Sequence, residues 1–133
     1  MIKFLIVFSI FLPSYTLAQE RINASKLDAP QFTLGYVGFV GHISEAELYM
    51  KSFSKSPNAA KSFAEVIDDS TSTSVAKLYA LCGFKKAGGT EIDVYARKLR
   101  EKGVMVSTMH GDQMKKEAIG FFVDRIIHQT CDK

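Results

Sequence analysis

The segment Ser72–Gly83, S-T-S-V-A-K-L-Y-A-L-C-G, limits the possible folds of this chain more than any other. Polar residues open it, apolar residues occupy nearly every face of its body, and a glycine closes it. Lys77 is its only charge. A helix that is apolar all round is one that other elements pack around. The sequence therefore predicts a central helix that begins at the serine–threonine run and ends at Gly83. Val75, Leu78, Tyr79 and Cys82 share one face. Ala76 and Ala80, four apart, make a second, thin face that lets a neighbour come close.

Cys82 is one of only two cysteines, the other being Cys131. How they read depends on the N-terminus. A short basic start at Lys3, an apolar run from Phe4 to Leu12 and small residues at Thr16 and Ala18 have the form of a secretory signal peptide. Cleavage is expected after Ala18, and the apolar run is too short to span a bilayer. The chain then divides into 1–18 as signal peptide, 19–43 as an arm with a Gly-rich extended segment, and 44–133 as one helical domain. Export places the protein in the periplasm or outside the cell, where Cys82 and Cys131 are expected to pair as a disulfide. A free catalytic thiol would need a partner histidine, and no spacing supplies one.

From Gln19 to Pro30 the sequence is polar and without period, and reads as a loose arm. Gln31–Ile43 carries Gly35, Gly38 and Gly41 among aromatic and β-branched residues. This G-x-x-G-x-x-G spacing differs from the dinucleotide fingerprint, and no βαβ unit follows it. The glycines are read as letting an extended segment lie close against a helix. Ser44-Glu45-Ala46-Glu47 is a capping box, followed by Ala46, Tyr49, Met50 and Phe53 on one helical face. A second helix is expected from Ser56 as cap and Pro57 at its first position, with Ala59, Ala60, Phe63, Val66 and Ile67 inward. After a loop at Lys85–Gly89, Thr90 is the expected cap of a fourth helix, with Ile92, Tyr95, Ala96 and Leu99 inward and Gly103 terminating it. Val104–Thr108 is β-prone but short and reads as an extended connection. His110-Gly111-Asp112 is a turn, with Asp112 the expected cap of a fifth helix reaching Gln129, whose apolar stripe is Ile119, Phe122, Val123, Ile126 and Ile127. The predicted fold is all-α: about five helices, in a compact bundle or a short superhelical stack. No repeat motif is visible.

Chemistry-bearing patterns are sparse. His42, His110 and His128 form no H-E-x-x-H and have no ligand partner at helical spacing, so neither a metal site nor a cofactor is expected. His110 with Asp112 is the nearest to a ligand pair and also reads as a turn residue and a cap. There is no nucleophile elbow. The paired acids Asp68-Asp69 and Glu45/Glu47 sit where helix electrostatics favours them, which leaves a glycosidase unsupported. No catalytic residue is assigned.

The whole chain carries a formal charge of +3, which does not indicate a nucleic-acid partner. Charge is uneven, however. Lys85, Lys86, Arg97, Lys98, Arg100, Lys102, Lys115 and Lys116 face only Glu91, Asp93, Glu101 and Asp112 within the same stretch. Such a surface suits an acidic protein or another anionic envelope component. No later segment approaches the length of a membrane span either.

The run A-K-L-Y-A-L-C-G-F from Ala76 to Phe84, preceded by G-Y-V-G-F-V-G-H-I-S-E-A-E, resembles a group of small exported bacterial helical proteins. Their pattern is a glycine-rich start followed by an L-Y-A-L-C-G-L helix, and some come from microcin gene clusters. The resemblance covers roughly residues 35 to 110. This chain has Phe84 where the pattern has leucine, and His110-Gly111-Asp112 where a glycine–cysteine pair is expected. No catalytic residue carries over. The reading of the sequence is an exported helical binding protein, of inhibitor or immunity type, acting through protein–protein contact. The alternatives are an envelope-directed enzyme whose site assembles only in three dimensions, and a small-ligand carrier.

Overall fold

Thr73, not the preceding serines, starts the central helix: its Oγ1 accepts a hydrogen bond from the Ala76 amide at 3.2 Å. From there α3 runs from Ser74 to Lys86, and every residue from Val75 to Phe84 is buried. In this computed structural model, which describes residues 20–35 and 41–131, the other helices gather around α3. These are α1 (Glu45–Phe53), α2 (Ala59–Asp68), α4 (Ile92–Arg100) and α5 (Ile119–His128). The expected signal peptide and the middle of the Gly-rich segment lie outside the described residues.

Gly83 does not end α3. A Cβ on Gly83 would come 2.3 Å from the Phe63 ring of α2, so the glycine is there to let that ring lie flat on the helix. The helix continues because Lys85 and Lys86 are good helix formers and Lys85 has a structural task. Its Nζ donates to the carbonyls of Ile126, Ile127 and Gln129 at 2.7, 3.0 and 2.6 Å. Those are the orphan carbonyls at the end of α5, and all three ammonium protons are used. One turn earlier Cys82 is bonded to Cys131, with Cα atoms 5.8 Å apart. The expected pairing is therefore present, and α5 is fastened to α3 twice.

The all-α expectation is overturned by a β-hairpin. β1 (Met105–His110) and β2 (Gln113–Ala118) pair antiparallel, with Val106 opposite Glu117, Thr108 opposite Lys115 and His110 opposite Gln113. The molecule is therefore mixed α/β: five helices and one two-stranded sheet among the described residues. The connection is the two-residue loop Gly111-Asp112, with Gly111 alone at positive φ (63°), as a type II′ turn requires. Asp112 thus belongs to the turn, and α5 begins seven residues later, at Ile119. Val106 and Thr108 alternate inward, whereas nearly all of β2 is exposed. Ile119, Phe122, Val123 and Ile126 are buried as expected.

Two other helix starts also differ from expectation. Asn58 and Glu91, both at positive φ, precede α2 and α4 without a side-chain cap bond, in place of Ser56 and Thr90. The N-terminal arm is less loose than its sequence suggests. Asn23 Oδ1 accepts from the Ser25 amide at the start of a 3-10 turn, and Leu27 is fully buried.

The arm then threads the core. Phe32 packs on the rings of Tyr79 and Phe122, with centroids 4.7 and 5.5 Å away. Its amide donates to Ser107 O at 2.8 Å, and its carbonyl accepts from Thr108 Oγ1 at 2.7 Å. At Thr33 the chain leaves β1. The Tyr79 hydroxyl donates to Thr33 O at 2.8 Å and accepts from Thr33 N at 3.0 Å. Gly35 N then donates to the fully buried Glu47 carboxylate at 2.9 Å. Ser44 keeps its half of the capping box, accepting from Glu47 N at 3.1 Å, but the Glu47 side chain serves the arm instead of the cap.

Candidate functional site

Of the eight cations expected to form one basic surface, Lys85, Lys98 and Arg100 are engaged by other groups of the fold. Lys85 is turned onto the end of α5. Lys98 donates to Asp68 at 2.8 Å and lies 5.2 Å over the Tyr95 ring, and the Asp68 bond holds its ammonium above the usual lysine range. Arg100 pairs with Asp124 of α5. Lys102 lies beside Lys77, whose amine is pushed down to about 8, first by burial and then by Lys102, against the opposing pull of Asp69 and Asp68. Lys115 and Lys116, adjacent on a strand, point to opposite faces of the hairpin. Arg97, like Lys86, is exposed on its helix.

The weighed acid pairs are likewise drawn apart. Glu45 is exposed at the edge of a recess shared with Lys26, Asp28, Gln31 and His42, whereas Glu47 is buried beneath it and spent on Gly35. Asp68 serves Lys98. Asp69 accepts from Thr71 N and Oγ1 at 2.9 and 2.8 Å, and these bonds hold its carboxyl below the usual range. Among the described residues no group of three or more His, Cys, Asp or Glu side chains is placed to hold a metal ion.

The arrangement with the most chemical potential is an open groove of about 660 Å³ between the arm, the hairpin tip and α5. Its apolar lining comes from Phe32, Leu34, Met109 and Phe121. Its polar lining comes from Thr108, His110, Asp124, Arg125, His128 and Gln129. His110 and His128, scattered in sequence, are thus brought to one groove; Asp112 and His42 are not part of it. His110 Nε2 stands 3.7 Å from Glu117 Oε1, too long for the oriented histidine–carboxylate bond of a catalytic dyad.

Two groups in the groove are unspent. Phe121 keeps 51% of its surface exposed. The Arg125 guanidinium has no hydrogen bond or ion pair among the described residues, while the neighbouring acid, Asp124, is taken by Arg100. A third is backbone. In an antiparallel ladder, residues two apart on a strand turn their N–H and C=O to the same edge. Ser107 offers that edge to Phe32, so Met109 offers it too, but there the arm has already departed for Tyr79. Sequence reasoning assigned none of Phe121, Arg125 or Met109 to a site. The signal for Phe121 was an aromatic off the apolar stripe of α5; Arg125 and Met109 acquire meaning only once the hairpin is placed. A comparison with known protein families, with characterised proteins and with solved structures finds no match for this chain.

Proposed function

We propose that this chain is an exported binding protein of inhibitor or immunity type, acting by protein–protein contact through the end of the molecule built from the hairpin and α5. One observation carries the reading: a half-exposed Phe121 stands in an open groove beside Arg125, which is unpaired among the described residues. Aromatic residues, Met and Arg are the types enriched where proteins meet. The hairpin also exposes Met105 and Met114, by 59% and 63%, and exposed apolar surface rimmed by polar groups marks interaction sites. The disulfide supports an oxidising compartment, and no helix among the described residues is long and apolar enough to cross a membrane. The periplasm or the cell exterior is the location proposed.

Affinity capture of the protein from envelope and culture fractions tests the reading. A single stoichiometric protein partner is the expected result. Repeated failure to capture one, together with turnover of peptidoglycan by the purified protein, would replace it with an envelope enzyme.

A further inference from the structure

We infer that the groove receives an extended, acidic segment of the partner protein, laid as an added strand against Met109 at the tip end of β1. The inference rests on the protein-contact reading above and specifies what the contact is made of. Three features of the same groove converge on it.

The first is main-chain geometry. The edge of β1 that faces away from β2 is used at Ser107, whose carbonyl takes the Phe32 amide at 2.8 Å. The arm then turns off, drawn to the Tyr79 hydroxyl at Thr33 and to the Glu47 carboxylate at Gly35. The line along which Phe32 runs continues into the groove, where no described residue of the arm pairs with β1, and the Met109 N–H and C=O point across to that line. An open strand edge of this kind pairs with an incoming extended peptide, with the backbone giving affinity and alternate side chains giving specificity.

The second is charge. The titratable groups around the groove are His110, Asp124, Arg125 and His128, with Glu117 and Lys115 across the hairpin from Val106 and Thr108. Asp124 is neutralised by Arg100, and Glu117 lies toward His110. Among the described residues Arg125 is left as an uncompensated cation, in a groove that also holds two histidines. A carboxylate is the group that satisfies a guanidinium bidentately.

The third is the apolar floor. Phe121 with Leu34 and Met109 offers a place for one apolar side chain of the incoming segment.

The test uses the oxidised full chain and three labelled peptides, read by fluorescence anisotropy. The first is acetyl-Glu-Val-Asp-Phe-Glu-Val-amide, the second its Gln/Asn counterpart, and the third the acidic peptide with alternate backbone amides methylated. The acidic peptide is expected to bind at least tenfold more tightly than either of the others, and to weaken with added salt. Arg125→Gln is expected to lose about tenfold for the acidic peptide alone, and Phe121→Ser to lose affinity for both unmethylated peptides. Equal affinity for all three peptides, or none for any, would overturn the assignment. That comparison needs only the wild-type chain, so it stands even if a variant folds poorly.

Partner capture separates this inference from the broader reading. A partner that wild type, Arg125→Gln and Phe121→Ser all capture equally leaves the protein a binding protein but removes the groove from its contact. Self-association abolished by Phe121→Ser would make the occupant a second copy of this chain and would equally overturn the acidic segment.

Discussion

Three lysines show how far a residue's meaning depends on where its stem leads. Lys85 spends its ammonium on three carbonyls, Lys98 on Asp68 and the Tyr95 ring, and Lys77 on very little. Lys77 is 2% exposed, near the start of the central helix, and the charged neighbour that acts on it most is Lys102 rather than an acid. Burial disfavours the protonated amine, so its folded pKa falls from 10.5 to about 8. Between those values the unfolded chain holds a proton that the folded chain has given up, so stability rises with pH across that window. Below about 8 the folded protein carries the full penalty, on the order of 3 kcal/mol, since each tenfold change in proton affinity corresponds to about 1.4 kcal/mol. Lys77→Met keeps the stem and removes the charge. It is expected to raise the thermal midpoint at pH 7 and to show a much smaller gain at pH 10. A midpoint lowered at pH 7 would mean that the attraction of Asp68 and Asp69 outweighs burial. In the sequence Lys77 stands out as a lone charge in an apolar helix; whether its amine escapes to solvent depends on the end of α4, which no local pattern reveals.

At the scale of elements, a glycine and a hairpin show the same limit. Helix propensity alone says that Gly83→Ala should gain about 1 kcal/mol. The added methyl, however, would sit 2.3 Å from a Phe63 ring that is itself fully buried and packed edge-on to Phe53. Overpacking of that kind costs about 1–3 kcal/mol. The clash is expected to win, and Gly83→Ala should lower the denaturant midpoint; a raised midpoint would show that Phe63 can move aside. In sequence, Gly83 looks like a helix terminator because glycine serves both purposes, and only the ring opposite distinguishes them. The hairpin escapes notice for a related reason. Gln113–Ala118 has no inward apolar face to announce a strand, since it is held by pairing with β1 and remains exposed. Strand preference of such a segment is set by its neighbours. The strong helical stripe from Ile119 onward then invites the helix to be extended back to Asp112. The helices with buried faces were legible because 3.6-residue periodicity is local; the groove was not, because it is bounded by the one element whose existence is not.

For the molecule as a whole, the pair of cysteines was legible from their number and the expected export. The bond joins residues 49 apart in sequence. In the chain-entropy picture a ring of that size contributes about 4 kcal/mol. The double variant Cys82→Ala/Cys131→Ala is expected to lose stability on that scale by urea denaturation. A much smaller loss would mean that the Lys85 contacts and the core hold α5 by themselves.

The position of that bond also fixes how the molecule carries load. Tension drawn along the chain from its two ends enters the bond at Cys82 and leaves at Cys131, so α4, the hairpin and α5 hang in a covalent loop through which no force passes. The arm and the first two helices lie on the stressed side and would be pulled out before the loop feels any strain. In a protein tethered between surfaces, α4, the hairpin and α5 would thus stay gathered within the bond, never drawn out to full length, while the chain before Cys82 yields.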